Sequence, residues 1–172
     1  MVAPFIMTLR PIALVSGSAN VDAYTNIDEE TDTGAGDGVY NEFNKDDDGV
    51  TLRYRMAVPG TVSGFKWPIG YCDQLEIGIR YASNVTHTFG LAYGFSGGTS
   101  SSQTITTPAD SVYYDGAKQF PLISGPEAFG AGGTAKDYIL IDVIAPATIA
   151  TGKWVRFDYL WCKLATRPLT MP

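Results

Sequence analysis

The sequence predicts an all-β protein, an antiparallel two-sheet β-sandwich of the jelly-roll type, and three observations carry the prediction. From Val50 to Val58 the residues Val50, Leu52, Tyr54, Met56 and Val58 share one parity, while Thr51, Arg53, Arg55 and Ala57 take the other. Successive side chains on a strand point to opposite faces, so this segment reads as a strand with one dry face and two arginines in water. Leu75, Ile77, Ile79 and Tyr81 repeat the alternation against Gln74, Glu76, Gly78 and Arg80. Finally, no stretch holds a helical period with caps at its ends, and 19 glycines and 10 prolines punctuate the chain at turn-like intervals.

Taken in order, Thr8 to Val15 reads as a first short strand, with Pro11 suited to a sheet edge because it cannot donate to a ladder. The whole segment 1–15 is an apolar arm or edge strand. A Ser/Gly/Asn loop follows over 16–20. Region 22–48 is acidic: it holds ten of the 18 acids, with Lys45 as its only base, and Val39 to Phe43 inside it reads as a strand. After Val58, the pair Pro59-Gly60 turns the chain into a shorter strand, Thr61 to Trp67. Thr86 to Phe95 alternates next, 96–102 is a Ser/Gly loop, and Ser111 to Asp115 reads as a further strand. Tyr138 to Ile144 is apolar on both parities and reads as a central strand covered on both faces. Ala145 to Thr151 suggests a helical turn. The last strand, Trp154 to Leu164, places Val155, Phe157, Tyr159 and Trp161 on one face and Trp154, Arg156, Asp158, Leu160 and Cys162 on the other. Eight to ten strands of this spacing close into a single sandwich domain over 1–172.

Totals narrow the function. A chain of 172 residues buries roughly 70% of its unfolded surface and needs no staple. Net charge of −6 argues against a nucleic-acid partner, since neutralising phosphates takes a basic face. Membrane insertion is not expected either: the long uncharged run 81–109 is full of Ser, Thr, Gly and Gln, which lipid would leave unsatisfied. The apolar start lacks a basic n-region and is broken by Pro4, Arg10 and Pro11, unlike a signal peptide. Cys72 and Cys162 lack zinc spacing and read as two buried thiols.

No reaction is written in the residues, and a non-enzyme is expected. Asn44, Asp46 and Asp48, followed by Gly49, match the first half of a calcium loop, in which alternate oxygens wrap a hard cation. The twelfth position is Arg55, where such a loop needs a carboxylate, so a solvated turn is the favoured reading and a structural calcium the only cofactor raised. His87 is the lone histidine and has no nucleophile elbow to serve. Asp142 and Asp158 are acids within apolar strands; a glycosidase would set two such carboxyls across a cleft, whereas a structural role pairs each with an arginine such as Arg53 or Arg156. Phe5, Ile6 and Leu9 of the arm, with Trp67 and Tyr71 near loops, are the candidate interaction residues. Exposed rings there would stack on sugars or on a protein partner.

Thr8-Leu9-Arg10-Pro11, the step Ile27-Asp28-Glu29 and Asp37-Gly38-Val39-Tyr40 resemble short motifs of small structural proteins of tailed bacteriophages. The alternating strands and Trp/Tyr-rich last strand resemble the carbohydrate-binding-module type of jelly roll. The first resemblance implies a capsid decoration protein, assembled in the host cytoplasm into the virion, with the major capsid or another virion protein and further copies of itself as partners. The second implies surface glycans as partners, and with them the alternative functions of a glycan-binding module or a small glycan-cleaving enzyme.

Overall fold

The computed structural model describes residues 6–9, 11–16, 40–57, 72–95, 98–99, 102–121 and 138–166. They form strands β1 (Ile6–Leu9), β2 (Pro11–Ser16), β3 (Asn41–Phe43), β4 (Thr51–Ala57), β5 (Cys72–Ser83), β6 (Thr88–Phe95), β7 (Gly98–Thr99), β8 (Gln103–Thr106), β9 (Tyr114–Pro121), β10 (Tyr138–Ile144) and β11 (Val155–Thr166). One sheet has five strands in the order β1-β11-β5-β9, with β3 also beside β11. The other has six in the order β2-β4-β10-β6-β7, with β8 also beside β6. Every pairing is antiparallel. The architecture is the all-β sandwich that the alternation predicts.

The two sheets meet through the parity the sequence advertises. Leu52, Tyr54 and Met56 from β4 and Leu75, Ile77 and Ile79 from β5 are fully buried in one core with Ile141, Val143, Phe157 and Leu160. Ring contacts tie the layers: Tyr81 of β5 meets Phe89 of β6 edge-on at 5.4 Å, and Tyr93 of β6 meets Phe120 of β9 at 5.6 Å. Such pairs add about 1 kcal/mol each to the burial of their area. The phenol of Tyr54 lies inside this core and accepts a 2.7 Å bond from the Asn41 amide. Burial pushes its pKa well above the usual tyrosine value.

Several expectations change. The first strand is two strands in different sheets: Thr8 and Leu9 pair with Lys163 and Cys162 of β11, whereas Pro11 to Ser16 pair with β4. Ile6–Leu9 and Pro11–Ser16 of the arm are therefore edge strands of its own sandwich. Leu9, 1% exposed, packs in that core and is not available to a partner. Ala145 to Thr151 contains no helical turn. The strand expected at Ser111 begins at Tyr114 and runs on to Pro121. The reason is local: Ser111 sits at φ 60, in the left-handed region that ends a strand. Strand Thr61 to Trp67 falls outside the described residues. Cys162 is buried, and Cys72 stands opposite Thr166 in the register rather than opposite Cys162.

The consequential correction lies in β11. Phe157 is opposite Tyr81 and Tyr159 is opposite Arg80, so Asp158 is an extra residue, a β-bulge. Inserting one residue reverses the parity beyond it. Val155 and Phe157 face the core before the bulge, and Leu160, Cys162 and Leu164 face it after. Tyr159 and Trp161, expected on the same face as Phe157, turn outward.

Candidate functional site

The bulge lays a row of rings along the outer face of the five-stranded sheet. Tyr159 and Trp161 stack with centroids 4.7 Å apart and planes 25° from parallel. Trp161 is opposite Gly78 of β5, and the ring fills the place of the missing side chain: a Cβ on Gly78 would lie 1.7 Å from Trp161 Cε2. The glycine is thus a seat for the indole. Beyond it Lys163 stands 5.9 Å from the indole centroid and is paired with Glu76 across the ladder, Nζ to Oε1 at 3.5 Å.

A second cluster sits at the start of β11. The Arg156 guanidinium lies 4.0 Å from the Trp154 ring centroid and 4.2 Å from that of Tyr40, while its Nε donates to Glu42 Oε2 at 2.6 Å. Cation–π contact and a short charge-assisted bond together fix a side chain that is otherwise rich in rotamers. Between the clusters, Arg80 Nε lies 3.7 Å from Asp158 Oδ2 on the bulge, and its guanidinium lies 5.8 Å from the Tyr113 ring. Burial raises the pKa of Tyr113, with Asp158 adding to the rise and Arg156 opposing it. These groups therefore share one neighbourhood.

The approach to this neighbourhood is shaped by a stiff loop. Asp110 accepts from Val112 N at 3.0 Å and from the Tyr114 hydroxyl at 2.5 Å, and Ser111 N donates to Ser83 O at 2.9 Å. The bond from Tyr114 holds the Asp110 carboxyl below its ordinary pKa and raises that of the phenol. A non-glycine residue at positive φ persists only where its surroundings enforce it, and these bonds do so. The loop leaves Val112, 52% exposed, at its tip.

The residues singled out in the sequence are dispersed. Asn44, Asp46 and Asp48 belong to a capped 3-10 turn over Lys45–Asp47. Asn44 Oδ1 accepts from Asp46 N, Asp47 Oδ2 accepts from Asn44 N, and Asp48 Oδ1 accepts from Ile149 N at 2.6 Å. Among the described residues, no group of three or more His, Cys, Asp or Glu side chains is placed to hold a metal. Asp142 is held by Arg53 through two bonds of 2.7 Å on the outer face of the six-stranded sheet. Asp158 is on the other sheet, so these carboxyls do not face one another across a cleft. His87 N donates to Thr107 Oγ1, which stitches the β5–β6 turn to the end of β8. Phe5, Trp67 and Tyr71 lie outside the described residues, as does the side chain of Ile6.

No protein-family model and no curated protein matches the chain. Solved structures do. A carbohydrate-binding module with specific mannan recognition aligns over 97% of this chain and 100% of its own at 13% identity, TM-score 0.49. A module of lichenase 5A from Cellvibrio mixtus, in complex with cellotriose, aligns over 94% and 97% at 14% identity, TM-score 0.47. The enzymatically active domain of tailspike protein 4 of bacteriophage CBA120 aligns over 94% of this chain but 19% of its own, at 10% identity and TM-score 0.47.

Sequence reasoning missed Tyr159 and Trp161 as surface residues because strict alternation placed them on one face with Val155 and Phe157. The signal present was Asp158. An acid between Phe157 and Leu160, both core residues, asks for a local break in the pleat.

Proposed function

We propose that this chain is a glycan-binding module whose binding surface is the outer face of the five-stranded sheet along β11. The stacked pair Tyr159–Trp161 seated over Gly78 carries this reading. Both rings are only partly buried; Tyr159 packs against the margin of the core and passes that support to Trp161 through the stack. Flat rings held on a rigid sheet match the C–H faces of pyranoses, and little entropy is lost on binding because the platform is already in place. The flanking pair Glu76–Lys163, and the part-exposed Arg80 beside the buried Asp158, supply acceptors and donors at the rim of the rings, where sugar hydroxyls project.

This reading displaces virion decoration as the leading function. Decoration rests on short motif resemblances, and the described part of the apolar arm is taken up as the ladder strands β1 and β2, with Leu9 in the core. Affinity electrophoresis through gels containing soluble polysaccharides tests the proposal. Wild-type protein is expected to be retarded by at least one polysaccharide, and Trp161→Ala to run unretarded with its melting temperature preserved. Unretarded wild type across the panel, or full retardation of the variant, overturns it.

A further inference from the structure

Resting on that glycan-binding reading, we infer that the ligand is an uncharged linear polysaccharide bound along its interior, spanning both ring clusters of β11. Two observations carry this beyond the binding surface itself.

The first is spacing. Trp154 and Trp161 stand at opposite ends of one outward face, and with one residue absorbed by the bulge they are separated by roughly 20 Å at about 3.3 Å per residue. Between them on the same face lie Arg80 and Tyr159, both part-exposed, which continue the polar and aromatic surface from one cluster to the other. A single terminal sugar fills one cluster and leaves the other in water. An extended chain fills both.

The second is charge. Each cation on the face has a carboxylate beside it: Arg156 with Glu42 at 2.6 Å, Lys163 with Glu76 at 3.5 Å and Arg80 with Asp158 at 3.7 Å. Asp115, exposed and opposite Arg80 in the register, adds a further acid. A uronate or sulfate must therefore separate an existing ion pair to gain its cation, against a protein of net charge −6. A neutral hydroxyl has no such obstacle. It donates to the carboxylate and accepts from the cation without dividing them.

The test is calorimetric titration of the full chain with two sets of ligands. One is a length ladder of neutral β-linked oligosaccharides of glucose, mannose and xylose; the other is polygalacturonate, alginate and heparin. Each titration is run at about 20 mM and about 500 mM NaCl, bracketing strong and weak screening. Affinity for the neutral series is expected to climb with length and level off near a 20 Å span, about tenfold or more above the shortest member that binds, and to ignore salt. Trp154→Ala is expected to remove the gain in affinity with length. Tight, salt-sensitive binding of the polyanions overturns the inference and leaves the glycan-binding function standing, as does equal affinity for short and long neutral chains. Heat from neither set removes the function and the inference together.

Discussion

Placing one methyl group under Trp161 tests the site at its seat. In Gly78→Ala the new Cβ would lie 1.7 Å from Trp161 Cε2 and 1.8 Å from Cζ2. Carbon atoms settle at about 3.5–4.0 Å, so the indole must withdraw by about 2 Å. It cannot move into the sheet and must tip outward, which ends its 4.7 Å stack on Tyr159. Losing that stack costs about 1 kcal/mol, while replacing a strand glycine by alanine returns about 0.5–1 kcal/mol through the unfolded chain. The balance is close to zero, and the melting temperature should stay within about 4 °C of wild type. Ligand contact does not share that compensation, because the platform is displaced; retardation by polysaccharide should fall about tenfold, equivalent to about 1.4 kcal/mol. Near-ultraviolet circular dichroism reads the ring directly, and affinity electrophoresis reads the platform. A wild-type spectrum together with wild-type retardation would refute the idea that Gly78 exists to seat Trp161. So would global unfolding, which would show the ring locked into the core rather than lying on the sheet.

Four further outcomes follow from the structure. Arg53→Met should cost about 2–3 kcal/mol in urea denaturation, because it strands the buried Asp142 carboxylate; the double change Arg53→Met with Asp142→Leu should recover most of it, and failure to recover would deny the pair its role. Leu9→Ala should destabilise by about 3 kcal/mol as a core cavity does, whereas a docking arm would leave stability unchanged and alter only association. Stability should fall above about pH 10: Tyr54 ionises there in the unfolded chain but is held neutral by burial in the fold, so its contribution is complete below that pH and is lost as pH rises further, and Tyr54→Phe should flatten the fall. The capped Asn44–Asp48 turn commits one side-chain oxygen each of Asn44, Asp47 and Asp48 to backbone N–H groups, so melting curves in chelator and in calcium should coincide; a rise with calcium would restore a cation to this turn.

Strand periodicity made β4, β5 and β10 legible, since a half-buried strand writes its two faces into alternate residues and a doubly covered one erases the alternation. The pairing of strand acids with arginines was legible too: Asp142 meets Arg53 as charge and parity suggested, although Asp158 turned out to meet Arg80. What escaped depends on non-local geometry. Nothing local marks the step between Leu9 and Pro11, where the chain passes from one sheet to the other. Strand β8 is Gln103-Thr104-Ile105-Thr106, in which a single buried residue, Ile105, gives no period to find. The outer face of β11 was hidden by one inserted residue, and with it the site, because a bulge reverses every later side chain while leaving composition unchanged.

The most direct measurement of the central claim is a two-dimensional nitrogen–proton correlation spectrum of the labelled chain, recorded during titration with neutral polysaccharide fragments. Binding along β11 predicts that the indole signals of Trp154 and Trp161 shift together with backbone amides of β5 and β11, while amides of β4 and β10 around Arg53 and Asp142 stay in place. Shifts confined to the six-stranded sheet, or indole signals of Trp154 and Trp161 that do not move at saturating ligand, would contradict it.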